Sequence, residues 1–194
     1  IEVSKSFLND NHYELLIYDF LREYGFNYDQ ISQFIKSIKN NNNQKFYSKK
    51  YTLCNDRYSF FIVDSDFKNK VNIQIKSLGK VSNRDIKLSI SKYDKQNFVL
   101  NNNRSNAQLD YDKVSFPLTF RNYKKGEKFI PLGMKKYKKI SSFLSDAKVS
   151  WYEKNNQFVI EDSNNKIIWL VGRQISDEYK VISTTKTVLD FEII

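Results

Sequence analysis

Asn27 to Val63 reads NYDQISQFIKSIKNNNNQKFYSKKYTLCNDRYSFFIV, and within it the hydrophobic period changes. Ile31, Phe34, Ile35 and Ile38 recur at spacings of three and four, the stripe of an amphipathic helix. Asn27, with Gln30 three residues on, resembles a capping box. The four asparagines at 40–43 are low in complexity and read as an exposed loop. Beyond them the pattern alternates: KFYSKKYTL and RYSFFIV flank CND, the signal of a β-hairpin. A helical stripe followed by hairpin strands predicts an α+β fold.

Upstream, NHYELLIYDFLREYGF places Tyr13, Leu16, Ile17, Phe20 and Tyr24 at helical spacing. Asp10 or Asn11 caps its start and Gly25 suits a left-handed stop, so the chain opens with a helical hairpin. Downstream, Val71, Ile73 and Ile75 alternate with polar residues, as do Ile86, Leu88 and Ile90. Such strands have one buried and one wet face, as in an antiparallel sheet. The polar NNNRSN at 101–106 is the best candidate boundary. It predicts a first domain over 1–105, a helical hairpin plus strands, and a second over 106–194. In the second, Ile140, Phe143, Leu144 and Ala147 share a helical face. QFVIED and KIIWLVG flank SNN as another hairpin, and TVLDFEII reads as a last strand.

Hydrophobic residues make up 40 % of the 194, with 15 Phe, 13 Tyr and 2 Trp, enough to fill a core. No apolar run approaches the roughly 20 residues that span a bilayer, and no signal peptide opens the chain. The single cysteine, Cys54, forms no internal disulfide and fits a reducing cytoplasm. The chain begins with Ile1 and its one methionine is Met134, which suggests a piece of a longer protein. The five glycines are isolated, so no Gly-rich loop wraps a nucleotide phosphate. His12, the sole histidine, has no Cys or His neighbours for a zinc site, and Cys54 alone reads as inert. No acidic spacing singles out a general acid/base pair. We therefore expect a binding module with no catalytic, cofactor or metal site of its own.

The net charge is +10, and Arg121 to Lys139 holds eight Lys or Arg against one acid. A focused positive field attracts phosphates or anionic lipid heads. Gly126 and Gly133 bracket EKFIP, with Pro131 fixing the approach to the second turn. Phe129, Ile130, Leu132 and Met134 read as apolar anchors between the charges, continued by Phe143 and Leu144. Phe129, Met134, Phe143, Trp151 and Trp169 are expected in the core. Tyr123 and Tyr137 suit either packing or stacking on bases.

FPLTFRNYKKGEKFIPLGMKKYKKISSFLSDAKVSWYEK, then IIWLVGRQISDEYKV and TTKTVL, resembles the C-terminal domain of bacterial tRNA(Ile)-lysidine synthetases. YELLIYDFLREYGFNYDQISQFIKSI with KFYSKKYTLCNDRYSFFIV is similar to that family's middle domain. The resemblance implies a ligase that uses ATP and Mg2+ to join lysine to the wobble cytidine of the CAU anticodon of tRNA(Ile). ATP and Mg2+ are then expected in an absent N-terminal domain, and this fragment alone would be inactive. The resemblance implies a last domain that is a layered α+β unit with a β-sandwich, like a module of the phenylalanyl-tRNA synthetase beta subunit. It also implies cytoplasmic location, tRNA as partner, and admits a homodimer. For Arg121, Lys128, Lys138 and Lys139 it implies phosphate contact. An internal salt bridge with Glu127 or Asp146 stays open for Arg121 and Lys128. Lys138 and Lys139 precede a helix whose N–H groups favour phosphate. Lys124, Lys125, Lys135 and Lys136 would add diffuse attraction. Lys148 and Arg173, which occupy motif positions, are by the same resemblance expected to be tRNA-binding residues, and Arg173, following a buried strand, also suits a structural role. The readings from other classes are an RNA-binding appendage of another tRNA enzyme and a basic domain for protein or membrane.

Overall fold

In a computed structural model the chain divides into two compact units, residues 1–69 with 150–155, and residues 70–149 with 156–194. The structure describes residues 1–9, 11–40, 42, 44–65, 71–82, 86–97, 99, 101, 103 and 105–194. The capping candidate Asp10, Asn41 and Asn43 of the asparagine run, and positions 102 and 104 of the expected boundary lie outside the described residues.

In the first unit α1 (Tyr13–Glu23) and α2 (Tyr28–Lys39) form the expected hairpin. The turn between them is a Schellman motif: Gly25, at φ +77°, donates to the Arg22 carbonyl and Phe26 to that of Leu21. The capping box is present, with Asn27 and Gln30 each accepting the other's backbone N–H. Strands β1 (Glu2–Ser4), β2 (Lys45–Tyr47), β3 (Tyr51–Asn55) and β4 (Ser59–Asp64) make an antiparallel sheet in the order β1-β4-β3-β2. KFYSKKYTL is thus two strands around a turn at 48–50. Ile17, Leu21, Phe34, Ile35, Phe46, Leu53 and Phe60 bury the helices against the sheet. Leu16 was expected on the buried face but is exposed, because the stripe that packs runs through Ile17 and Leu21 instead. A short helix, α4 (Trp151–Asn155), completes this unit. Its Trp151 N–H donates to the Asp56 carboxylate, and Tyr152 stacks on Phe61 at 5.4 Å.

The second unit has three layers. A five-stranded sheet is built from β5 (Asn72–Ile75), β9 (Leu118–Asn122), β12 (Phe158–Glu161), β13 (Ile167–Leu170) and β14 (Gln174–Ile175), in the order β14-β13-β12-β9-β5. A four-stranded sheet, β6-β7-β15-β8, uses Gly79–Ser82, Lys87–Asp94, Thr187–Ile193 and Asn106–Asp110 respectively. Ile75, Leu88, Leu109, Phe120, Ile160, Leu189 and Phe191 from both sheets fill the space between them. The other face of the five-stranded sheet is covered by α3 (Ile140–Asp146) and a two-stranded ribbon, β10 (Lys128–Phe129) with β11 (Lys138–Lys139). Phe129, Ile140, Leu144, Val159 and Leu170 pack there. A strand buried on both faces reads as an apolar run without alternation, which is why KIIWLVG looks continuous. The layered α+β arrangement with a sandwich is the expected class.

The boundary expected at 105/106 falls inside this unit. β5 pairs with β9, and β7 pairs with β15 across seven residues, so 71–94 belongs with the later strands. A polar stretch reads as a linker locally, but non-local ladders decide which residues move as one.

Candidate nucleic-acid interface

The basic segment is organised around the β10–β11 ribbon, in which Lys128 faces Lys139 and Phe129 faces Lys138. Residues directly opposite in an antiparallel pair share a face, and neighbours alternate. Phe129 is buried, its ring edge-on to Phe143 at 5.3 Å, so its face is the inner one. Lys128 and Lys139 therefore project outward together, both exposed. Neither has a carboxylate partner among the described residues. Like charges directly opposite on a ribbon are destabilising, so this pair has no structural reward inside the chain. Lys124, Lys125, Lys135 and Lys136 lie exposed in the turns that flank the ribbon.

Arg121 is elsewhere in kind. At 7 % exposure it is inside the fold, where a charge must be paired. Its Nη2 and Nη1 donate to Glu127 at 2.7 and 3.1 Å, and its Nε donates to Glu161. Burial opposes the cation and these carboxylate bonds outweigh it, raising the guanidinium pKa. Glu127 also accepts the Lys124 N–H at 2.6 Å, so the cluster ties strand β9 to the turn that enters the ribbon. The phosphate role expected of Arg121 gives way to the internal salt bridge.

Lys138 is also committed, with its ammonium 2.7 Å from Asp146 and 5.8 Å from the centre of the Phe143 ring. The Asp146 side chain is two-thirds exposed, so this is a surface pair of about 0–1 kcal/mol that another anion can displace. The helix behind Lys139 spans only seven residues, and its first N–H, that of Ile140, already donates to the Glu127 carbonyl at 3.0 Å. One of the N–H groups expected to favour phosphate is therefore already spent inside the chain. Lys148 is exposed at φ +56°, the left-handed position of a Schellman turn closed by Val149 N–H to Leu144 at 3.0 Å. Arg173 is half-buried, its Nε donating to Gln157 at 2.8 Å, which agrees with the structural role left open for it.

The loop 131–137 is held by its backbone rather than by its side chains. Leu132 N–H donates to Ile175, Asp177 N–H to Ile130, and Gly133 N–H to the Asp177 carboxylate at 2.9 Å. That N–H, with the Lys180 ammonium, holds the Asp177 carboxyl below its usual range. Leu132, Met134 and Tyr137 are consequently 43, 41 and 60 % exposed. This corrects the reading of Leu132 and Met134 as anchors and of Met134 as core. Trp151, also expected in the core, is half-buried with the Lys45 ammonium 4.5 Å from its ring centre. Asp177 and Glu161 were not anticipated, since 44 and 40 residues separate them from their partners and no local spacing announces them.

The first unit carries a second cationic and aromatic surface that the candidate residues did not include. Lys45 and Tyr47 are exposed on the edge strand β2, Lys49 and Lys50 on the turn after it, and Arg57 and Tyr58 at the β3–β4 tip. The Arg57 guanidinium lies 5.9 Å from the Tyr58 ring. Cys54 is buried, which pushes its thiol up to about 12 and leaves it un-nucleophilic. Among the described residues no group of three or more His, Cys, Asp or Glu is placed to hold a metal ion, and no helix is long and apolar enough to cross a membrane.

A family model described as TilS substrate binding domain matches residues 2–65, which lie in the first unit. The chain is 33 % identical over 177 residues to a tRNA(Ile)-lysidine synthase of Parabacteroides distasonis and 25 % identical over 184 residues to that of Bacteroides thetaiotaomicron. These alignments take in 91 and 93 % of the chain but 40 % of each relative. A crystal structure titled as a TILS C-terminal domain superimposes on 63 % of the chain and 96 % of its own length, at a TM-score of 0.54 and 15 % identity. An N-terminal fragment of the phenylalanyl-tRNA synthetase beta subunit from Pyrococcus horikoshii aligns more weakly, at a TM-score of 0.44. The sequence relatives run through both units, and the chain belongs to the tRNA(Ile)-lysidine synthase family.

Proposed function

We propose that this chain is the tRNA-holding part of a tRNA(Ile)-lysidine synthase and that bond-making occurs in another part of the enzyme. The chain spans about 40 % of its relatives' length. ATP, Mg2+ and free lysine would be bound by the remainder, in the cytoplasm where tRNA is modified, and the tRNA would be tRNA(Ile) with its CAU anticodon. The observation that carries this reading is the Lys128–Lys139 pair: two ammonium groups aimed outward from one face of a packed ribbon, with no carboxylate partner among the described residues. An RNA backbone relieves their repulsion and releases counterions from itself. The basic and aromatic surface of the first unit, over the segment that matches the substrate-binding family, would hold a further stretch of the same tRNA.

The test separates binding from folding by sign. Lys128→Glu puts a carboxylate opposite Lys139, and opposite charges across a ribbon add about 0.2–1 kcal/mol. The variant should melt no lower than the parent while losing roughly tenfold in tRNA affinity at 0.1 M salt, with a shallower salt slope. Unchanged affinity would remove the ribbon from the interface. The exposed Leu132, Met134 and Tyr137 among lysines favour one second reading, attachment to an anionic lipid surface. Salt-dependent binding to phosphatidylserine vesicles but not to tRNA would establish it instead.

A further inference from the structure

A cavity of about 320 Å³ opens within the second unit, at the small end of the range that ligand pockets occupy. It lies where the edges of the two sandwich sheets meet: β8 bounds the four-stranded sheet and β14 the five-stranded one. Five carboxamides line it, among them Asn106 at the start of β8 and Gln174 in β14. The side chains of these two make no hydrogen bond within the chain, among the described residues. Gln108, beside them, is already occupied, accepting the Asn101 N–H at 2.7 Å. Trp169, 1 % exposed, Ile175 and Leu132 supply flat apolar walls, and Arg173 adds positive charge. No carboxylate lines the cavity among the described residues.

Apolar walls with unspent amide donors and acceptors at the edge are the chemistry that recognises a nucleobase. The base's faces are apolar, and its edge alternates donors and acceptors. The cavity holds one such ring and not a helix. Its mouth is continuous with the basic loop: Leu132 lines it, and the Leu132 N–H is bonded to Ile175 of β14. A strand tracking the ribbon would therefore carry a nucleotide past the opening. We propose that this cavity takes the unpaired nucleobase of an RNA strand whose backbone lies on the lysine ribbon. The proposal rests on the reading that the ribbon holds RNA.

The experiment uses the 194-residue chain and two RNAs, a blunt 12-base-pair duplex and the same duplex with a four-nucleotide single-stranded 3′ extension. One well-held base should make the extended RNA bind about tenfold tighter at 0.15 M salt. Asn106→Ala and Gln174→Ala should each reduce that preference at least threefold and leave blunt-duplex affinity unchanged, with melting temperatures checked against the parent. Lys128→Glu should weaken both RNAs by the same factor and keep the preference. In a Trp151→Phe background, where Trp169 is the only tryptophan, adenosine, guanosine, cytidine or uridine monophosphate should change the indole fluorescence saturably. Equal affinity for the two RNAs, with Lys128→Glu still weakening both, overturns the cavity proposal and leaves the RNA-holding reading standing. Failure of both RNAs to bind overturns both.

Discussion

Arg121 is where a single residue tests the division between structural and recognising cations. Removing it leaves Glu127 and Glu161 facing each other in a partly buried site, and breaking a buried pair costs about 3–5 kcal/mol. Arg121→Ala should therefore lower the melting temperature strongly. Arg121→Lys should recover only part of the loss, since an ammonium does not reproduce the fork that spans two carboxylates. Neither change should alter the salt slope of RNA binding by the fraction that stays folded. A slope reduced by about one unit in Arg121→Lys would mean the guanidinium touches phosphate after all. Local signals at this scale were legible: Asn27, Gln30 and Gly25 each serve within a few residues of themselves. The commitment of Arg121 was half legible, because Glu127 is six residues away, whereas Glu161 arrives only through the β9–β12 ladder.

The ribbon and its loop behave as one element, and the sequence showed their charge but not what holds them. Gly133 and Pro131 were read as turn residues, and that is their place. Phe129 and Leu144 anchor the ribbon as the sequence implies, but Leu132 and Met134 do not, and the loop they occupy is anchored by backbone bonds to 175–177. Asp177→Ala should release the Gly133 amide, raising its hydrogen exchange about tenfold and weakening RNA binding severalfold by loosening the loop. Asp177→Asn should keep most of the protection, since its amide oxygen still accepts that N–H. The pH response has a fixed sign. A carboxyl depressed in the folded state contributes fully above the unfolded value near 4 and loses its contribution as pH falls through the lower folded one. Protection of Gly133, corrected for intrinsic exchange, should thus be flat from pH 5 upward and fall only in stronger acid. Loss of protection between pH 6 and 8 would show that another group holds the loop.

For the molecule as a whole, composition and period gave the class and most elements, while the partition of the chain followed from pairings that neither reports. Strand β15 is the case in point: its neighbours are β7, before the polar NNNRSN stretch, and β8, directly after it. A fragment of residues 106–194 would lose β5, β6 and β7, leaving β9 and β15 with open edges and removing Ile75, Leu88 and Ile90 from the sandwich core. Three buried aliphatic side chains are worth about 1.5–3 kcal/mol each, comparable with the whole stability of a small domain. We therefore expect 106–194 to lack a cooperative thermal transition and to give collapsed amide dispersion by NMR. A fragment of residues 71–194 keeps every strand of both sheets and should melt cooperatively and bind RNA with the parent's sensitivity to Lys128→Glu. Cooperative unfolding of 106–194 alone would show that β5, β6 and β7 are dispensable to the ribbon. The lysine pair would then owe its rigidity to β9, β12, β13, β14 and the helix Ile140–Asp146.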